Sequence, residues 1–326
     1  MSFDVVCLRP EADFLRVGIT PPATLRIAYR APENADLKPL IAAARALVMP
    51  AVGPQLPAGL FEGSILKLVQ VTGAGVDRLD EEALKRLGIP VANVPGGSNS
   101  AVAEYVLTAA SALLRRFAWS DTEVRSGRYR EFRAALLSAN LSGLDGLTVG
   151  IIGMGTIGLA VAQALRVHEC EILYADPSPR DAKAASKLGA RPVSLDGLLE
   201  RSDVVTIHVP LLSATQGLIG EHQLARMKKD AILVNAARGG IVDETALAAA
   251  LRAGRIGGAA VDVYSTEPPE ASNPLLGIDG EPGRRLLLTP HIAGVTRQAQ
   301  ASLFRSAWEN VERVLSGGLA PLNRVY

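Results

Sequence analysis

Residues 147–158 read LTVGIIGMGTIG. An apolar run leads directly into Gly153, Met154, Gly155, Thr156, Ile157 and Gly158, the G-x-G-x-x-G spacing. Each glycine answers a separate demand: a tight turn, close approach of backbone to a pyrophosphate, and close packing of the following helix on the sheet. The phosphate then sits at a helix N-terminus, where unpaired N–H groups and the helix dipole favour an anion. Glycine is common here, 31 of 326 residues, so the spacing acquires meaning only from its surroundings.

Those surroundings alternate strand and helix. Downstream, strand-like runs fall at 147–152, 171–175, 204–209, 231–236, 258–264 and 286–289. Helical spacing occupies 157–166, 180–188, 195–200, 221–227 and 244–253, the last with Asp243 as cap and Gly254 as stop. Six strands with helices between them predict a doubly wound parallel sheet of Rossmann type that binds a nucleotide.

Upstream the same alternation is shorter, with strands at 3–8, 25–29, 46–49, 66–71 and near Val91, and helices at 37–44 and 80–87. This predicts a second, smaller parallel sheet of flavodoxin-like type. A long helix at 101–116, with Ser100 as its N-cap, joins the two. The charged and aromatic stretch 119–141 reads either as a solvated face or as an arm that packs on a second subunit. A final helix at 296–315 lines Ala299, Leu303, Ala307, Val311 and Val314 along one face. The tail beyond it is too short for a domain and is expected to return to the first sheet. The fold class is therefore α/β, with a domain at 101–295 inserted in a discontinuous domain formed by 1–100 and 296–326.

Composition narrows the classes of function. With 48% hydrophobic and 21% charged residues the chain reads as an ordinary soluble globular protein. A net charge of +1 and dispersed Lys and Arg point to no nucleic acid and no membrane as partner. Cys7 and Cys170 fall in strands of different domains and read as small buried hydrophobes. The N-terminus has an acid at Asp4 and no basic segment before a long apolar run, so a signal peptide is not expected. The expected compartment is the cytoplasm.

Asp176 ends the second strand of the glycine-containing series, roughly 20 residues after the first glycine. A carboxylate there accepts both ribose hydroxyls of adenosine and repels a 2′-phosphate, which favours NAD; nearby Arg180 leaves NADP use open. The other reading is a turn residue before Pro177. Arg238 after ILVNAA, Glu267 after AAVDVY and His291 after LLLTP all follow strands. In an open parallel sheet, ligands lie beyond the carboxyl ends, so these three converge on the cofactor crevice.

Their chemistry suits hydride transfer to a 2-oxo acid. A planar guanidinium fixes a carboxylate with paired hydrogen bonds, and histidine supplies a proton near neutral pH. A carboxylate beside the histidine stabilises its protonated form and sets its orientation. Singly, each residue has a bland reading as a loop or packing residue; jointly they do not. His208 in HVP reads as lining the cofactor cleft through its backbone, while His168 and His222 read as surface residues. No Cys/His or carboxylate cluster has metal-ligand spacing, so no metal is expected. In the first domain, residues 71–77 (VTGAGVD) form a loop of small residues whose N–H groups suit a carboxylate. A tight connection is the alternative.

The segments VTGAGVDRLD, VPGGSNSAVAE, LTVGIIGMGTIG with Asp176, HVPL, VNAARGGIVDE, DVYSTEP and TPHIAG resemble the D-isomer-specific 2-hydroxyacid dehydrogenase family. They follow the family's order over residues 71–294, while the first sixty residues match only in strand pattern. The resemblance implies an enzyme in which Arg238 binds the substrate carboxylate, Glu267 partners the acid/base and His291 is that acid/base. It also implies that Gly73, Ala74 and Gly75 bind substrate. The cofactor would meet Gly153, Gly155, Thr156, Ile157, Gly158, Asp176, His208, Val209, Pro210, Thr215, Ala236 and the nicotinamide ligand Asp262. A homodimer through the NAD-binding domain is implied as well. Val71 stands where phosphoglycerate dehydrogenase relatives often carry arginine, which weighs against a phosphorylated substrate. Glu267 departs from the glutamine of formate dehydrogenase relatives. The rival expectation is an NAD(H)-sensing binding protein similar to the family's transcriptional corepressors. A second rival is another oxidoreductase, such as a reductase of sugar-derived acids.

Overall fold

The computed structural model describes residues 3–326. In chain order it contains β1 (Val5–Cys7), α1 (Glu11–Arg16), β2 (Ile27–Tyr29), α2 (Leu37–Ala43), β3 (Ala46–Met49), β4 (Leu68–Val71), α3 (Glu81–Arg86) and β5 (Val91–Ala92). There follow α4 (Asn99–Leu114), α5 (Phe117–Arg125), α6 (Tyr129–Ser138), β6 (Thr148–Ile152), α7 (Thr156–Leu165), β7 (Glu171–Ala175), α8 (Ala182–Lys187), β8 (Arg191–Pro192) and α9 (Leu195–Arg201). The chain continues through β9 (Val204–Ile207), α10 (Glu221–Arg226), β10 (Ile232–Asn235), α11 (Glu244–Arg252), β11 (Gly258–Val261), α12 (Gly280–Gly283), β12 (Leu286–Leu288) and α13 (Arg297–Leu315). It divides into two compact units, Met1–Ser98 with Val295–Tyr326, and Asn99–Gly294.

The first unit has a parallel sheet in the order β2-β1-β3-β4-β5, the flavodoxin-like arrangement. Apart from Gln70 in β4, its strands are apolar runs because both faces are covered. Val6, Leu47, Met49, Val69 and Val71 meet Leu37 and Ile41 of α2 and Leu84 of α3 on one face. The alternate residues Val5, Cys7, Ala46, Val48 and Leu68 meet Phe14 of α1 and Phe304, Trp308 and Val311 of α13 on the other. Phe14 sits edge-on to Phe304 and Trp308, with ring centroids 4.8 and 5.4 Å away. The tail after α13 pairs with β5 through an antiparallel bridge between Arg324 and Ala92.

The second unit has a seven-stranded parallel sheet ordered β12-β11-β10-β9-β6-β7-β8. Ile152, Val205, Ile207, Leu233 and Val261 pack under Leu198 and Leu199 of α9, Leu224 of α10 and Leu247 and Leu251 of α11. Val149, Ile151, Ile172, Tyr174 and Val234 pack under Val102 and Val106 of α4 and Val161 and Ala162 of α7.

Several expectations are corrected. Ser100 lies inside α4, which begins one residue earlier, so it is not the N-cap. A seventh strand, β8, adds to the six expected; its Pro192 is tolerated because it lies on the sheet edge, where the missing N–H has no ladder partner to satisfy. Cys170 precedes β7 rather than lying within it, and both cysteines are free. Residues 119–141 are mostly helical, in α5 and α6, which meet where the Trp119 and Phe132 rings lie 5.1 Å apart, tilted at 48°. Glu123 anchors that pair, taking Trp119 Nε1–H and the guanidinium groups of Arg128 and Arg284. Among the described residues, no helix is long and apolar enough to cross a membrane.

Candidate active site

The second sheet ends in a row. Its register places Ala175 beside Ile152, Ile152 beside Ile207, Ile207 beside Asn235, Asn235 beside Val261 and Val261 beside Leu288. The next residue on each strand is therefore Asp176, Gly153, His208, Ala236, Asp262 and Thr289, all at the carboxyl end of the sheet. With neighbouring strands about 4.8 Å apart, Asp176 and Asp262 lie roughly 19 Å apart along that end. The strand order reverses between β6 and β9, and a crevice opens at such a reversal.

The three glycines of the turn fit a dinucleotide, each in its own way. Gly153 has φ +95°, and a Cβ there would lie 2.7 Å from His208 O. A Cβ on Gly158 would lie 2.2 Å from Gly153 O, so the helix start packs directly on the turn. At Gly155 nothing lies within 4 Å of the added carbon, leaving open space where the backbone can approach a pyrophosphate. Thr156 and Ile157 open α7 at this point. Asp176 braces the turn: Met154 N–H donates to one carboxylate oxygen at 2.7 Å and Ser178 N–H to the other at 2.8 Å.

His208 N–H donates to Ile152 O at 2.7 Å, which ties the ends of β6 and β9 together. Its Nε2 pairs with Thr206 Oγ1 at 2.9 Å, while Nδ1 is buried without a partner. Although the residue as a whole is half-buried, its ring is shielded, and burial pushes the imidazole pKa down to about 3. His208 is thus a neutral wall residue. Thr215 closes the loop that follows, donating to Pro210 O at 2.6 Å and accepting from Leu212 N–H at 2.8 Å. Val209 packs against the Gly153 turn.

His291 and Glu267 meet directly, Nδ1 to Oε2 at 2.8 Å. The other oxygen, Oε1, accepts from Tyr264 N–H at 3.1 Å. Burial works against ionisation of Glu267. The hydrogen bonds from His291 and Tyr264, with the Arg238 charge, outweigh it and hold the carboxyl below its usual range. An ionised carboxylate makes Nδ1 the donor, so Nε2 is the nitrogen left to exchange a proton. Arg238 is brought alongside by Gly239, where a Cβ would fall 1.8 Å from Tyr264 O. Asn235 Nδ2 donates to Arg238 O at 3.2 Å and fixes the loop from behind.

Behind His291 stands Asp262, supported by three residues that sequence reasoning missed. Asp262 is fully buried, and its carboxylate takes Thr289 Oγ1–H at 2.6 Å and the N–H groups of Ile292 and Ala293 at 2.8 Å each. Tyr105 of α4 joins Thr289 Oγ1 at 2.7 Å, and Tyr264 Oη donates to Thr289 O at 3.0 Å. Asp262 therefore spends most of its acceptor capacity on the His291 loop. No local signal marks Tyr105, Tyr264 and Thr289, since their roles arise only when three distant segments meet. Among the described residues, no group of three or more His, Cys, Asp or Glu could hold a metal ion.

Gly73, Ala74 and Gly75 belong to the first unit, in the loop after β4. Thr72 N–H and Oγ1–H both donate to Met49 O, at 2.8 and 3.3 Å, which anchors the start of the loop at the end of β3.

Residues 107–293 match the family model described as D-isomer specific 2-hydroxyacid dehydrogenase, NAD binding domain. The chain is 39% identical over 252 residues to a D-3-phosphoglycerate dehydrogenase of Archaeoglobus fulgidus, a match covering 77% of this chain and 46% of that one. It thus spans about half the length of that relative. It is 38% identical over 264 residues to a glyoxylate reductase of Aeropyrum pernix, covering 80% of this chain and 77% of the other. Among solved structures, the TT0316 protein from Thermus thermophilus superposes with a TM-score of 0.81 at 30% identity, covering 99% of each chain. With the glycine turn, the paired His291 and Glu267 and these matches in agreement, the chain belongs to the D-isomer-specific 2-hydroxyacid dehydrogenase family.

Proposed function

We propose that the protein is an NAD-dependent oxidoreductase interconverting a 2-oxo acid and its D-2-hydroxy acid. The observation that carries this reading is the 2.8 Å His291–Glu267 pair at the same carboxyl end of the sheet as the dinucleotide turn. When bound, the nicotinamide supplies or accepts the hydride. In the reducing direction His291 Nε2 gives a proton to the carbonyl oxygen, and Glu267 stabilises the imidazolium that precedes the transfer. Arg238 and the N–H groups of Ala74 and Gly75 hold the substrate carboxylate. Asp176 receives the adenosine ribose, which favours NAD over NADP. A small, unphosphorylated substrate such as glyoxylate suits both the absence of arginine at Val71 and the name of one relative.

We infer further that the protein forms a homodimer through α5 and α6, where Phe117, Val124, Tyr129 and Leu137 are all more than half exposed. Light scattering on the purified protein reads this directly, and a monomer at micromolar concentration overturns it. The activity is tested by following NADH and NADPH consumption with glyoxylate, hydroxypyruvate, pyruvate, phenylpyruvate and branched 2-oxo acids. Turnover with at least one of these is expected, and none with any of them rejects the enzyme.

A further inference from the structure

Two carbonyls of the loop after β4 are tied to the segment that follows β5. Val94 N–H donates to Gly73 O at 2.9 Å, and Asn93 Nδ2 donates to Ala74 O at 2.6 Å. In a trans peptide C=O and N–H point in opposite directions. Tying down these two oxygens therefore turns the N–H groups of Ala74 and Gly75 away from the β5 segment, on one side and next to each other. Neither N–H has a hydrogen-bond partner among the described residues. Adjacent amides presented in this way make an anion-binding nest.

Asn93 is itself clamped. Its N–H donates to Asn323 O at 3.3 Å, and the neighbouring Val91 exchanges hydrogen bonds with Tyr326 O at 2.9 Å and Val325 N at 2.8 Å. The tail that supplies these partners is held in turn by Asn310 of α13, which is buried. Its Oδ1 accepts from Leu322 N–H at 2.7 Å, and its Nδ2 donates to Leu322 O at 3.1 Å and to Gln70 Oε1 at 2.6 Å. Gln70 is fully buried in β4, the strand that delivers the loop. One buried amide pair thus joins the tail, the segment carrying Asn93 and the strand leading into residues 73–75.

We propose that Asn93 is a positioning residue for substrate: by holding the Ala74 carbonyl it aims the Gly75 N–H at the substrate carboxylate, and the C-terminal tail keeps Asn93 in place. This rests on the reading that residues 73–75 bind that carboxylate. The side chain must be a donor. An aspartate at 93 would set a carboxylate against the Ala74 oxygen and drive the peptide to turn over.

The test uses the full-length protein with NADH and its best 2-oxo acid, comparing wild type with Asn93→Ala, Asn93→Asp and a chain ending at Asn323. KM for the oxo acid and the dissociation constant of oxalate, a non-reducible mimic, should rise about tenfold or more in both Asn93 variants. The rise should be smaller in the truncated chain. kcat, NADH affinity and thermal midpoint should stay close to wild type in the Asn93 variants. Unchanged KM and oxalate affinity in an otherwise active protein overturn the role of Asn93 alone, as does a fall confined to kcat. A wild type inactive on every 2-oxo acid overturns the functional reading and this inference with it.

Discussion

His291 holds a left-handed backbone, φ +56°, that an L-residue adopts at a cost of about 1 kcal/mol or more. Surrounding bonds enforce it: His291 N–H donates to Asp262 O at 2.8 Å, and the Asp262 carboxylate takes the next two amides. The ring is thereby aimed at Glu267 before any ligand arrives. Replacing His291 with Gln should lower kcat by roughly 10²–10⁴-fold, the usual worth of a positioned acid/base. NADH affinity, read by fluorescence titration, should be retained; near-normal turnover would reject the proton-transfer role. His208 makes a different prediction, about stability. Its folded pKa is about 3, well below the unfolded value of about 6.5. The unfolded state therefore binds the extra proton across this window. The stabilising contribution is complete above about pH 6.5 and is lost as pH falls toward 3, at up to about 1.4 kcal/mol per unit. Urea melts between pH 7 and 4 should become shallower in their pH dependence for His208→Gln, and an identical slope would refute the assignment.

At the scale of elements, the site depends on loops approaching more closely than side chains allow. Gly239 lets the loop after β10 rest on the backbone at Tyr264 and Ser265, and it is this contact that sets Arg238 beside Glu267. In Gly239→Ala the added carbon meets main chain, which no rotamer change relieves. A displacement of about 1 Å at a catalytic group costs on the order of 10²-fold. kcat/KM should fall by that much with NADH binding kept, and a fall of less than threefold would show that the loop can yield. The alternation of strand and helix, the Asp243 cap and the apolar face of α13 are legible in sequence because each is a local pattern. His291, Glu267 and Arg238 are legible as strand-end residues once the parallel sheet is inferred. Ser100 misleads, because a serine ahead of an apolar run looks like a cap even when the helix starts at Asn99. The support from Tyr105, Thr289 and Tyr264 is not legible, since hydrogen bonds between distant segments leave no spacing to read. Asn93 is hidden for the same reason, its partners being Ala74 and Asn323.

For the whole molecule, the connectivity of the two units sets what each can do alone. Asn99–Gly294 is one continuous segment with a closed two-sided core, its own glycine turn and the full His291, Glu267 and Arg238 set. The other unit is two segments, and its last helix supplies Phe304, Trp308 and Val311 to a core begun by β1 and α1. A chain stopping at Gly294 would leave that core open, whereas a chain running from Asn99 to Gly294 removes none of its own. The isolated 99–294 segment should therefore fold cooperatively and bind NADH. At a concentration a hundredfold above its dissociation constant, the cofactor should stabilise it by about 2.7 kcal/mol. It should reduce no 2-oxo acid, because residues 73–75, proposed to hold the substrate carboxylate, and Asn93 lie outside it. Calorimetry with and without NADH reads the first expectation and the NADH consumption assay the second. A segment that is unfolded, or that folds without binding NADH, would mean that the glycine turn needs the other unit to become a cofactor site. A segment that turns over 2-oxo acids at the full-length rate would remove residues 73–75 from the substrate site and leave Arg238 as its sole carboxylate anchor.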